Sequence, residues 1–192
     1  MVGYLMLLAT AACQSSGGSP PPSSCFVGDQ AATPLLAPVR QSAGGGLAPV
    51  ADGDALSLVV PPQGGEVLLV GVRALNIDGC PLTLSASLVL STGAVAAFER
   101  RPVNLRPAAD GWLQPANPSG LADFANLPAC PIAGLHQSID GAPAQLVLDA
   151  EDQAGRQAHA VVTVVPTCDV AGSAGTCRCL CAAGYVLGAP CP

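Results

Sequence analysis

Gln145-Leu-Val-Leu-Asp-Ala-Glu151, then Asp152-Gln-Ala-Gly155, then Arg156 to Val165, is the stretch that decides the fold. In its second half Ala158, Ala160, Val162 and Val164 alternate with His159, Val161, Thr163 and Val165. Successive strand residues point to opposite faces, so a period of two gives each run one apolar face. Two such runs around a short turn containing glycine predict a β-hairpin. Working upstream, Leu82-Thr-Leu-Ser-Ala-Ser-Leu-Val-Leu90 alternates in the same way. Leu84, Leu88, Leu148, Val162 and Val164 are expected inside, with Thr83, Ser85 and His159 outside. Leu56–Val60 and the apolar run Glu66–Leu75 read as further strands, separated by the breaker Pro61-Pro-Gln-Gly-Gly65. No segment shows helical periodicity over a useful length. The expectation is an all-β protein, an antiparallel β-sandwich with a barrel as runner-up.

Half of the residues are hydrophobic, 10% are charged and 3% are aromatic, so the core must be aliphatic. The net charge is −6, and all seven basic residues are arginine. An acidic chain lacks the basic footprint of a nucleic-acid binder, and it does not dock electrostatically on anionic lipid. Residues 25–50 are rich in Ala, Pro and Gly and show no clear period. Residues 99–143 read as an irregular crossover, with many prolines and glycines, Phe124 and His136. Within it Arg100, Arg101, Arg106 and the only tryptophan, Trp112, are candidate ligand contacts. The alternative is a structural crossover pinned by Cys130 and by burial of Trp112 and Phe124.

At the start, the apolar run Val2–Ala12 ends at Cys13 and is followed by Gln14-Ser-Ser-Gly-Gly-Ser-Pro-Pro-Pro-Ser-Ser24. Small residues, one cysteine, then a Gly/Ser/Pro tether resembles a bacterial lipoprotein signal. The resemblance implies a signal peptide over 1–12, lipidation of Cys13, a flexible tether over 13–24 and an extracytoplasmic domain held to a membrane by lipid. In a Gram-negative bacterium that would be the outer membrane. The alternative is a signal cut nearby without lipid. The apolar run is shorter than the about 20 residues that span a bilayer.

The pattern around residues 145–165, "apolar-Asp, Asp-x-Ala-Gly-Arg, alternating Ala/Val/Thr", is similar to the last two strands of bacterial immunoglobulin-like domains. The resemblance implies such a sandwich over 25–166. The tail, 167–192, holds five of the nine cysteines. Cys179-Leu-Cys181 through Gly184-Tyr185 to Cys191 resembles the second half of an EGF-like module, which implies a Cys181–Cys191 bond. If Cys13 carries lipid, an even set remains: Cys25, Cys80, Cys130, Cys168, Cys177, Cys179, Cys181 and Cys191. An oxidising compartment suits them. Cys80 and Cys130 both precede proline and are the two cysteines inside the β region, so they are expected to pair. Cys177-Arg-Cys179-Leu-Cys181 also suggests a thiolate metal site, but it lacks paired CxxC spacings and a nearby histidine.

The search for chemistry is brief. There is no GxSxG, HExxH, P-loop or GxGxxG opening a helix. Asp149, Glu151 and Asp152 offer paired carboxylates for acid–base work or for Ca²⁺, or else form the acidic rim of a soluble sheet edge. His159 reads as a solvated strand residue. The expectation is therefore a lipid-anchored structural or binding module of the cell envelope, not an enzyme and without cofactor. Its partners would be the membrane through its lipid, and another envelope protein or a glycan. The alternatives are an extracytoplasmic hydrolase-type enzyme with a site in 99–143, or a Cys-rich metal or redox protein.

Overall fold

The computed structural model describes residues 25–42, 44–132 and 136–191. Cys13, the signal and the tether lie outside the described residues. Thirteen strands and one short helix follow in chain order: β1 (Phe26–Val27), β2 (Leu35–Gln41), β3 (Leu47–Pro49), β4 (Asp54–Ser57), β5 (Glu66–Leu75), β6 (Ile77–Asp78), β7 (Leu82–Leu90), β8 (Val95–Val103), β9 (Leu105–Pro107), β10 (Leu113–Pro115), β11 (Ala125–Cys130), β12 (Ala144–Glu151), β13 (Gln157–Thr167) and α1 (Ala174–Leu180). The protein is mostly β, with 48% of the described residues in strands and 4% in helix.

A six-stranded sheet runs β3-β2-β5-β10-β9, with β11 also on β5. A five-stranded sheet runs β4-β13-β12-β7-β8, and β1 pairs with β6 in a small ribbon. The hairpin of β12 and β13 is in the expected register, with Leu148 opposite Ala160 and Asp149 opposite His159. β4 joins β13 in parallel. One apolar cluster takes Leu84, Leu88, Leu146, Leu148 and Val164 from the five-stranded sheet and Leu68, Val70, Val72, Leu113 and Leu127 from the other. The five residues expected inside are all buried, and Thr83, Ser85 and His159 are not. Losing one such Leu side chain costs about 2–5 kcal/mol.

β5 is the hub. β2 pairs along one side of it, and β10 and β11 share the other. Gly71 lets the Phe124 ring lie on this strand, because a Cβ there would stand 3.0 Å from the ring. The stretch 25–50 contains three strands despite its prolines. Pro38 is tolerated within β2 because its backbone polar side faces away from β5: its carbonyl accepts from Val50 N at 3.0 Å.

The stretch 99–143 is not an irregular crossover. It holds the end of β8 and all of β9, β10 and β11. Glu99 and Arg101 close the open side between the two sheets here. The Glu99 carboxylate accepts from Asn126 N. Arg101 pairs with Glu99 at 3.0 Å and donates to the Phe124 carbonyl at 3.0 Å. These side chains satisfy the Asn126 N–H of β11 and the Phe124 carbonyl just before the strand.

The bonds are Cys25–Cys80, Cys130–Cys181, Cys168–Cys177 and Cys179–Cys191. This overturns both expected pairs, Cys80–Cys130 and Cys181–Cys191. Helix α1 supplies the reason. Cys177 and Cys181 are four apart, and the Cys181 N–H bonds the Cys177 carbonyl, so both face the body and are buried. Cys179 takes another face and meets Cys191. The tail is thus closed by two bonds of its own and fastened to the body by a third, Cys130–Cys181.

The hairpin turn is held at the other end of β13. Asp152 is buried and accepts from Ala154 N and Arg156 N, both at 2.9 Å, and from Asp78 N. Arg156 donates to the carbonyls of Gln30 and Ala32.

Glu66 is the anomaly of the core. It shares the inward parity of Leu68, Val70 and Val72, is 1% exposed, and neither carboxylate oxygen has a hydrogen-bond partner. Burial pushes its carboxyl above the ordinary 4.5. The unfolded chain therefore ionises first. The stability tied to Glu66 is fully present below 4.5 and is lost as pH rises through the folded value. Denaturant unfolding across this range should show wild-type stability falling with pH more steeply than that of Glu66→Gln. Equal slopes would contradict the burial.

Candidate functional site

The outward face of the five-stranded sheet carries the most developed polar site. Its geometry follows from strand register. Arg100 of β8 pairs with Ser85 of β7, Ser85 with Asp149 of β12, and Asp149 with His159 of β13. The next row is Thr83, Glu151 and Gln157. Seven polar side chains from four strands surround a depression of about 290 Å³.

His159 Nδ1 lies 2.7 Å from Asp149 Oδ1, and both side chains are mostly exposed. Arg100 stands 3.9 Å from Glu151, a surface pair of little energetic weight. The order across the sheet is serine, aspartate, histidine. Triad chemistry needs the imidazole between the hydroxyl and the carboxylate, so this row is not a Ser-His-Asp relay. What it offers is a flat array of donors and acceptors with charges of both signs.

The four candidate ligand contacts do not come together. Arg100 and Arg101 are consecutive on one strand, so they face opposite sides. Arg100 lines the depression, and Arg101 binds backbone carbonyls at the sheet edge. Arg106 is exposed on β9, opposite Gln114 of β10, on the other sheet. Trp112 is half-buried, and its arginine is Arg73 of β5, whose guanidinium sits 5.4 Å from the ring centroid. Arg73 also binds both oxygens of Asp110 at 2.5 Å. Sequence reasoning missed Arg73. The signal was present: it is the one cation in the run Glu66–Leu75, at outward parity.

The tail has a second cluster. The sulfurs of Cys168, Cys177 and Cys181 lie within 4.8 Å of one another, with Cys168 Sγ 3.9 Å from Cys181 Sγ. Two disulfides pack together there. Sulfurs in this form are not thiolates, the species that ligates metal.

No helix among the described residues is long and apolar enough to cross a membrane. No family model, no curated protein and no solved structure matches this chain.

The Arg73–Asp110 pair gives a direct check of the tryptophan shelf. The hydrogen bond from Arg73 holds the Asp110 carboxyl below its ordinary 3.8. A depressed value means that the pair stabilises above 3.8 and that this is lost as pH falls through the folded value. In Arg73→Ala, an NMR titration should find the Asp110 carboxyl moved back up toward 3.8. An unmoved carboxyl would show that Arg73 does not hold it.

Proposed function

We propose that this chain is a lipid-anchored, extracytoplasmic structural or binding module of the cell envelope, an immunoglobulin-like sandwich without catalysis of its own. The observation that carries this reading is the use of the cysteines. Cys25, Cys80, Cys130, Cys168, Cys177, Cys179, Cys181 and Cys191 are consumed in four bonds. That leaves Cys13 as the one cysteine for lipid. Four disulfides suit an oxidising compartment. Two sheets contributing to one aliphatic core support the sandwich.

The outward face of β7, β8, β12 and β13 is the contact surface on this reading. Apart from Arg100, which lies on that surface, the segment 99–143 acts as scaffold, because Glu99, Arg101 and Asp123 there are bound to backbone groups. Stable attachment to a membrane needs more than one acyl chain, so the lipid on Cys13 would carry at least two. In a Gram-negative cell the module would stand on the outer membrane, facing an envelope protein or a glycan.

Intact mass of protein extracted from membranes tests the anchor. The expected species begins at Cys13, carries added acyl mass, and is eight hydrogens lighter than the reduced chain because of its four disulfides. Recovery in the soluble fraction with an unmodified N-terminus would overturn the reading.

A further inference from the structure

The outward face of the five-stranded sheet also carries an apolar strip. Beside the Arg100–Ser85–Asp149–His159 row lies the row Phe98, Ser87, Val147 and Val161. Val95 continues it along β8, opposite Val89, in a row that Gln145 and Thr163 complete with polar side chains. Phe98 is 57% exposed, Val95 60% and Val161 49%. Three large apolar side chains on one sheet face are more than scattered surface hydrophobes, and they call for a cover.

We propose that the cover is a second copy of this chain, in an isologous face-to-face dimer. The proposal rests on the reading of this face as the contact surface and names its partner. The face is complementary to itself. A two-fold axis parallel to the strands, between β12 and β7, keeps each row in place and exchanges the strands. It sets β8 of one copy over β13 of the other, and β7 over β12. Phe98 then packs on Val161, twice. Arg100 meets the Asp149–His159 pair, twice. Thr83 meets Glu151. The other axis in the plane, perpendicular to the strands, would set Arg100 over apolar Val95 and is disfavoured.

Size is consistent with this choice. Four strands about 4.8 Å apart, nine residues long at about 3.3 Å each, make a face of roughly 570 Å². Two such faces bury roughly 1,100 Å², at the lower bound for a specific interface. The dimer should therefore be reversible. A glycan fits less well, because the middle of the face is an apolar strip that offers one aromatic ring for stacking.

Sedimentation equilibrium of the full chain decides the matter. The wild type should show a monomer–dimer equilibrium. Phe98→Asp and Arg100→Glu should each weaken it at least about tenfold, since Arg100→Glu sets two like charges against each other twice over. The double variant Arg100→Glu/Asp149→Arg exchanges the charges and should recover most of the affinity. All three positions are exposed, so thermal melting should find each variant folded. A wild type that stays monomeric, a dimer indifferent to both single variants, or a double variant no tighter than Arg100→Glu would each overturn the proposal. Acylation at Cys13 is read by mass alone, so a lipidated monomer keeps the envelope module and loses the dimer.

Discussion

The Cys130–Cys181 bridge is the constraint on which most of the architecture depends. Cys130 ends β11, which lies on the hub strand β5, and Cys181 caps helix α1. The bond holds the helix so that Cys177, Leu180 and Cys181 pack on the apolar cluster. It closes a separation of 51 residues, which in the chain-entropy account stabilises by about 4 kcal/mol. With Cys181 engaged, Cys179 on another face of the helix is left for Cys191, and Cys177 for Cys168. The remaining pair, Cys25–Cys80, ties the N-terminal ribbon to the turn before β7. An aliphatic core with one fully buried aromatic ring, Phe124, gains much from such staples.

The two ends of the body are built differently. At one end Asp152 and Arg156 knit the hairpin turn to the N-terminal segment through backbone groups. There the Cys25–Cys80 bridge adds a covalent tie, and at the other end the three remaining disulfides do the work. β13 spans the distance between them, about 33 Å for its eleven residues.

Much of the fold was legible because a half-buried strand writes its face into the sequence. Leu82–Leu90 and the hairpin of β12 and β13 stand where the alternation puts them, with the same residues inside. β2, β10 and β11 were not legible, since Pro38, Pro115 and Pro128 read as breakers. Each is tolerated by its register, which is a tertiary property. The disulfides escaped for a related reason. Cys80 and Cys130 have matching local sequence, but pairing needs proximity, and the i, i+4 spacing of Cys177 and Cys181 was the clue that pointed into the core. The candidate contacts scattered because period two separates Arg100 from Arg101, while Arg73 joined Trp112 through strand pairing that no local window records.

Peptide mapping without reduction measures the central constraint most directly. The account predicts four linked peptides, one of them joining Cys130 to Cys181. A peptide joining Cys80 to Cys130, or Cys181 to Cys191, would contradict it and return the tail to a unit of its own.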